Sequence, residues 1–389
     1  MNDTLNMGLN GLNCKEVLYL VIKNALVYGA DFTAEVTDIE IENGIIKAIG
    51  KTDKDGEDFS GLTVLPGFID IHIHGTRLAD SSSGNVEEIA TISKALAEHG
   101  ITSFCPTTMT LPHDTLVNAF TAVAEYMSNE EGAYIHGINM EGPYISLAKK
   151  GAQAAEHVRK PDFEEFSQLN GICPIKLADV APEEDGAIDF AEKASRICTV
   201  SAAHTSATFA EAKHGFENGF THATHLFNAM TPIQNREPGV PGAVFDTDNI
   251  TAELICDGFH NHPAVIRMAF RQLGEDRICV ISDSMSAADN GDGEYELGGQ
   301  TVYVRDGKAT LADGTIAAST SNVFDEFRNL LEFGIDFRSA LKACTANPAK
   351  AIGVYSQTGS VEVGKRADLT VIDSDAQLRH VFIKGKQLF

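Results

Sequence analysis

The sequence predicts an α/β protein, a (β/α)8 TIM barrel carrying a small β-sandwich domain built from both chain ends. Three observations lead there. Apolar strand-like runs alternate with amphipathic helix-like runs roughly eight times over about 280 residues. Short alternating strand patterns crowd the two ends of the chain. No glycine-rich fingerprint of a dinucleotide fold is present, which disfavours an open doubly wound sheet.

A chain of 389 residues is too long for one ordinary domain and fits a large barrel plus a smaller module. The reading places a loose extension over 1–15, a small β domain over 16–65 and 353–389, and the barrel over 66–352. At the N-terminal end, "VLYLVIKNALVYG" and "EVTDIEIENGIIKAIG" read as strands, with "ENG" as a hairpin turn. "VEVGKRADLTVID" and "RHVFIKGKQLF" repeat the style at the other end. Within the barrel, "VEEIATISKALAEHG" reads as a helix closed by Gly100 at the position after its cap. "ITSFCPT" is a strand, "HDTLVNAFTAVAEYMSN" a helix and "AYIHGINM" a strand. Later strands are "PIKLADVAP", "TVSAAHT", "FTHATHLF", "ITAELICDG" and "ICVISDSM". Residues 284–315, rich in Gly, Asp and Tyr, read as an inserted β flap over the site.

Composition excludes several classes. A hydrophobic fraction of 43% and a charged fraction of 22% belong to a soluble globular chain. No apolar run of about 18 residues predicts a membrane span. The first residues carry no secretory signal pattern. Seven Cys without a CxxC spacing predict reduced thiols and a cytoplasmic protein. The formal charge of −25 repels nucleic acid and anionic membranes. Any bound anion must therefore meet local positive charge.

The chemistry concentrates at predicted strand ends. In "GFIDIHIHG", strict alternation puts Asp70, His72 and His74 on one face, and two imidazoles at i and i+2 can share a metal. Glu141 follows the strand of "INMEGPYI" and precedes a Gly-Pro turn. His204 in "VSAAHTSAT" and His225 in "ATHLFNAM" end two further strands. Each histidine alone is more often structural than a ligand. Four of them with one carboxylate at one barrel mouth form a metal site of borderline hardness, suited to Zn²⁺ or Fe²⁺. His222 faces the other way and is a weaker candidate. Asp283, ending the strand of "VISDSM", is placed to take a proton from a water beside the metal; its bland reading is a turn cap.

The ordered set "PGFIDIHIHG", "MEGPYISLAKKGAQ", "AAHTSAT", "THLFNAMTPIQNREPG", "CDGFHNHP", "ISDSM" and "DGTIAAST" resembles the N-acetylglucosamine-6-phosphate deacetylase family of the amidohydrolase superfamily. The match runs from about residue 17 to the C-terminus. The resemblance implies Glu141, His204 and His225 as main metal ligands, with His72 and His74 for a second ion. It implies Asp283 as general base and then acid, acting on water activated by one or two divalent ions. Ala152 and Gln153 match the sugar contact; Asn228, Ala229 and Arg236 match sugar-phosphate contacts. Asp257, Gly258, Phe259 and His260 match a stretch whose His approaches the substrate, in that family across a dimer interface. Ile316, Ala317 and Ala318 match a further substrate-contacting turn. Gln153 stands where some members carry His, and Ala318 where Gly is common.

The resemblance therefore implies a metal-dependent hydrolase that frees acetate from a small phosphosugar, as a cytoplasmic homodimer or tetramer. Three other readings stay open on the residues alone: the galactosamine epimer or an N-acyl amino acid as substrate; a cyclic-amide hydrolase with a carboxylated Lys, for which mid-strand Lys176 is the candidate; and a sugar-phosphate sensor without turnover.

Overall fold

The computed structural model describes residues 19–128 and 130–388. The expected loose extension over 1–15 and the start of the first predicted strand lie outside them. Among the described residues, no helix is long and apolar enough to cross a membrane.

Eight parallel strands line up in chain order: β1 (Phe68–Ile73), β2 (Ile101–Thr108), β3 (Ile138–Glu141), β4 (Ile175–Val180), β5 (Thr199–Ala202), β6 (Phe220–Ala223), β7 (Thr251–Leu254) and β8 (Ile278–Val280). β1 pairs with β2, and each later strand pairs with the one before it. The seam between β8 and β1 closes just past the strand ends. There Asp283 N–H donates to His72 O at 2.9 Å, and His74 N–H donates to Ser284 O at 2.8 Å. The result is the predicted barrel, with its mouth knitted shut by the segments that carry the chemistry.

The helices follow the strands in the order the alternation predicts. α1 (Val86–Glu98) starts at Asn85, whose side chain accepts from Glu87 N–H, and ends before Gly100 at φ +82°. That left-handed position is why a glycine follows the cap. A later helix, α2 (Pro263–Leu273), opens on a proline at its first position, where the missing N–H costs nothing. Each helix buries one stripe; in α1 this is Ile89, Ile92, Ala95 and Leu96, which join the main core.

Both chain ends build one eight-stranded sheet, in which Leu369–Ile372 pairs with Thr63–Pro66. The sheet curls back on itself, so that Ile45 bridges Arg366 across the fold. Its own core gathers Ile22, Ile39, Ile46, Val64, Leu369 and Phe382. The predicted hairpin at "ENG" is real: Asn43 (φ +51°) and Gly44 (φ +81°) turn between Ala34–Glu42 and Ile45–Ile49.

The flap differs in extent from its prediction. Its four antiparallel strands are Gly293–Leu297, Gln300–Arg305, Lys308–Thr310 and Ile316–Ala318. Residues 284–292 instead belong to the barrel rim, where Met285 N–H donates to Ser319 O at 3.1 Å. Leu297, Ile316 and Ala317 on the flap line the same cavity as Glu141 and Asp283.

Candidate active site

Strand β3 ends on Glu141, and four imidazoles converge on its carboxylate. His204 Nε2 and His225 Nε2 lie 3.1 and 3.2 Å from Oε1. His72 Nε2 lies 3.4 Å from Oε1, and His74 Nε2 lies 3.5 Å from Oε2. All five side chains are buried. Asp283 Oδ1 completes the cluster, 3.3 Å from His74 Nε2 and 3.6 Å from His72 Nε2.

The backbone at three of these residues is held in the left-handed region: His204 at φ +41°, His225 at +32° and Asp283 at +47°. Each lies just beyond a strand, and such a conformation costs a non-glycine residue about 1–3 kcal/mol. Neighbouring bonds impose it. Thr205 N–H donates to Ala229 O at 3.0 Å, and Ser319 N–H donates to Asp283 O at 2.8 Å. The sharp turn at each strand end throws the side chain inward over the mouth.

The imidazole orientations follow from what holds the other nitrogen. His74 Nδ1 lies 3.3 Å from Thr107 O, His204 Nδ1 lies 2.9 Å from Lys149 O, and His225 Nδ1 lies 3.2 Å from Asn228 O. A carbonyl only accepts, so each of these Nδ1 atoms carries the proton. His72 Nδ1 meets Glu253 Oε2 at 3.0 Å. In the neutral rings every Nε2 then aims a bare lone pair at Glu141 or Asp283. Lone pairs at such distances repel unless a positive charge lies among them.

That is the test of fit for a metal. Ligand bonds of about 2.0–2.2 Å at a tetrahedral centre put donor atoms roughly 3.4 Å apart, close to the spacings found here. His72 Nε2 is moreover fully buried and has no hydrogen-bond partner among the described residues. Two donor sets share Glu141: one with His72 and His74, the other with His204 and His225. Burial pulls the His72 imidazole down, but Glu253 and Glu141 outweigh it and its pKa stands well above the ordinary value. Burial pushes the carboxylates up, yet His204 and His72 hold Glu141 well below the usual range, and His74 and His72 hold Asp283 below it. The charge of His74 and His72 thus favours the ionised form of Asp283.

Gln153 braces the bridging carboxylate. Its Oε1 accepts Thr110 N–H at 2.7 Å, which turns its amide N–H onto Glu141 Oε2. Gln153 also lines the pocket, and its amide keeps a second N–H for a further acceptor. Ala152, Asn228, Ala229, Ile316 and Ala317 line the pocket as expected.

Five of the implied contact residues, Asp257, Gly258, Phe259, Ala318 and Arg236, lie outside the pocket lining. Of residues 257–260 only His260 lines the pocket; Asp257 lies behind it, with Oδ2 2.7 Å from His260 Nδ1. Gly258 is outside the lining, and Phe259 is turned out at 49% exposure. Ala318 is buried behind the wall, where it pairs with Ala309. Arg236 is exposed and does not line the pocket. It does not pair with Glu237, whose Oε1 instead accepts Phe209 N–H and Gly239 N–H. His222, the weaker candidate, bonds Thr251 Oγ1 at 2.6 Å and stays out of both donor sets. Lys176 sits inside strand β4 and does not line the pocket.

Sequence reasoning missed Met109, Gly151, Leu297 and Thr315 in the wall, and Glu253 beneath it. Met109 had a usable signal, since it follows directly on strand β2. Glu253 had one as well: a lone carboxylate inside the otherwise apolar strand of "ITAELIC". Leu297 and Thr315 fall within 284–315, the stretch whose composition reads as a flap over the site.

A barrel with imidazoles and a carboxylate at its mouth defines a class of metal-dependent hydrolases. Residues 63–388 match the amidohydrolase family, and the chain belongs to it. Within that family it is 35% identical to the N-acetylglucosamine-6-phosphate deacetylase of Bacillus subtilis, over 95% of this chain and 97% of that one. It is 31% identical to the N-acetylgalactosamine-6-phosphate deacetylase of Escherichia coli, over 90% and 93%. Its fold matches the N-acetyl-D-glucosamine-6-phosphate deacetylase of Mycobacterium smegmatis, solved with N-acetyl-D-glucosamine-6-phosphate. There the TM-score is 0.89 at 29% identity, covering 95% of this chain and 99% of that one.

Proposed function

We propose that this chain hydrolyses the N-acetyl amide of N-acetyl-D-glucosamine 6-phosphate, giving glucosamine 6-phosphate and acetate. The observation that carries the reading is the convergence of Glu141, His204, His225 and Asp283 on one pocket at the barrel mouth. The family is metal-dependent, and imidazole with carboxylate suits Zn²⁺ or Fe²⁺. Glu141, His204 and His225 would hold a first ion, and His72 and His74 with Glu141 would hold a second. A divalent ion in this set supplies a Lewis acid for the acetyl carbonyl and makes hydroxide available at neutral pH.

The chain's own groups do the rest. Asp283, held ionised, accepts one proton from the attacking water as the oxygen bonds to the carbonyl carbon. It then passes that proton to the nitrogen as the C–N bond breaks, so acetic acid and a neutral amine form, and at neutral pH the acid's proton moves to the amine to leave acetate and an ammonium group. Asn228, Ala229 and His260 meet the phosphosugar, and Ala152, Ile316 and Ala317 shape the wall around it. Among the described residues the lining of the pocket contains no Lys or Arg, so a phosphate dianion there meets imidazoles first. Arg236, exposed and free of Glu237, would act on the phosphate bound by a second copy in the homodimer that the resemblance implies. This use of the chain fits the cytoplasm, where phosphosugars are kept.

Acetate release from the glucosamine and galactosamine epimers, after metal removal and add-back, tests the reading. Hydrolysis that needs metal and favours the glucosamine epimer is the expected result. Preference for the other epimer moves the substrate, and turnover that survives complete metal removal rejects the mechanism.

A further inference from the structure

Three of the four imidazoles around Glu141 rest their Nδ1 atoms on backbone carbonyls. His72 rests instead on a carboxylate, Glu253, at 3.0 Å, with both side chains fully buried. The same oxygen of Glu253 accepts the backbone N–H of His225 at 3.3 Å. One residue on β7 thereby ties a ligand of one donor set to a ligand of the other. Glu253 does not line the pocket and cannot touch a substrate there.

Its burial has a cost that packing does not explain. Oε1 has no hydrogen-bond partner among the described residues and lies 3.6 Å from His222 Nε2. A half-satisfied buried carboxylate is destabilising, and an apolar side chain of similar size would serve the barrel interior better. What the carboxylate does gain is hold over His72. It fixes the ring with Nε2 facing Glu141, and its negative charge makes that nitrogen a stronger donor than a carbonyl contact could.

We propose that Glu253 is a positioning residue that determines whether the His72–His74–Glu141 set holds its ion. This rests on the reading that the set is a metal site. The substitution Glu253→Gln keeps the hydrogen bonds, because the amide oxygen still accepts from His72 and His225 and the NH₂ group faces His222 Nε2. It removes only the charge. Glu253→Leu removes both charge and orientation.

Metal-stripped full-length protein titrated with Co²⁺, followed by calorimetry and by the visible cobalt absorption, reads each site without any turnover. The wild-type chain is expected to bind two ions. In Glu253→Gln the affinity of one site should fall about 10–100-fold, and in Glu253→Leu further, with the loss of that site's cobalt bands. A graded order, Leu below Gln below wild type, is the conservative rescue that a merely structural role would not give. Unchanged binding of both ions in Glu253→Gln, with matching thermal stability, overturns the proposal, and so does the same result in Glu253→Leu if it folds. A wild-type chain that binds one ion also overturns it, while leaving Glu141, His204 and His225 as the site. A wild-type chain that binds none rejects the metal reading itself.

Discussion

Asp257 Oδ2 lies 2.7 Å from His260 Nδ1, and only the histidine reaches the pocket. Asp257 is fixed in turn by the N–H groups of Phe259 and His260, both on its Oδ1 at 2.8 and 2.9 Å. Burial pulls His260 down, but Asp257 more than compensates, and its pKa is raised above the ordinary value. The imidazole therefore keeps its charge to higher pH, where it can meet a phosphate. Asp257→Asn removes the compensation, so the His260 pKa should fall. The alkaline limb of the kcat/KM profile should move to lower pH, chiefly through KM. A profile identical to wild type would show that Asp257 does not set the charge of His260.

Asp283 is the group whose loss should cost most. Asp283→Asn removes the carboxylate that takes and returns the proton, so kcat should fall about 10²-fold or more. Glu141, His204 and His225 are untouched, and elemental analysis should still find bound metal. Near-normal turnover in this variant excludes Asp283 as the acid and base.

Arg236 stands outside the pocket of its own chain, which separates its effect from that of Asp283. Losing a charge-assisted contact to phosphate costs about 1.5–3 kcal/mol, so Arg236→Ala should raise KM roughly 10–100-fold with kcat little changed. Arg236→Lys should recover part of this, since an ammonium cannot fork onto two oxygens. If the residue serves a second copy, co-expressing Arg236→Ala with Asp283→Asn restores one intact site per hybrid pair. No recovery in the hybrid, alongside a raised KM in the single variant, places Arg236 in its own chain's site.

Much of this site was legible because its ligands lie where alternation runs out. His72, Glu141, His204, His225 and Asp283 sit at or just past strand ends, and a barrel brings all such ends to one rim. What could not be read is who meets whom below or beyond the rim. His72 and Glu253 are 181 residues apart and meet across the barrel interior, a pairing set by strand register and tilt rather than by local pattern. The stretch 257–260 showed the same gap: its motif is contiguous, but a tight turn sends His260 inward, Asp257 behind it and Phe259 out to solvent. The flap was found by composition, while its last strand, Ile316–Ala318, is short and apolar and reads from the resemblance as a substrate-contacting turn.

His136 gives a prediction independent of the active site. It is buried beside Tyr134, its Nε2 has no hydrogen-bond partner among the described residues, and Arg366, Lys176 and Lys384 lie nearby. Burial and these cations pull its pKa down to about 3, against an ordinary 6.5. Above pH 6.5 the ring is neutral in folded and unfolded chains alike, and its contribution to stability is fully present. As the pH falls below 6.5 the unfolded chain takes up a proton that the folded chain refuses, and stability is lost down to about pH 3. At pH 5 the loss is about 2 kcal/mol, from 1.36 kcal/mol per unit. His136→Leu should lose correspondingly less between pH 7.5 and 5 than wild type, with both proteins metal-free so that ligand protonation does not enter the difference. Equal losses in denaturant unfolding at the two pH values would mean that His136 is protonated in the folded chain.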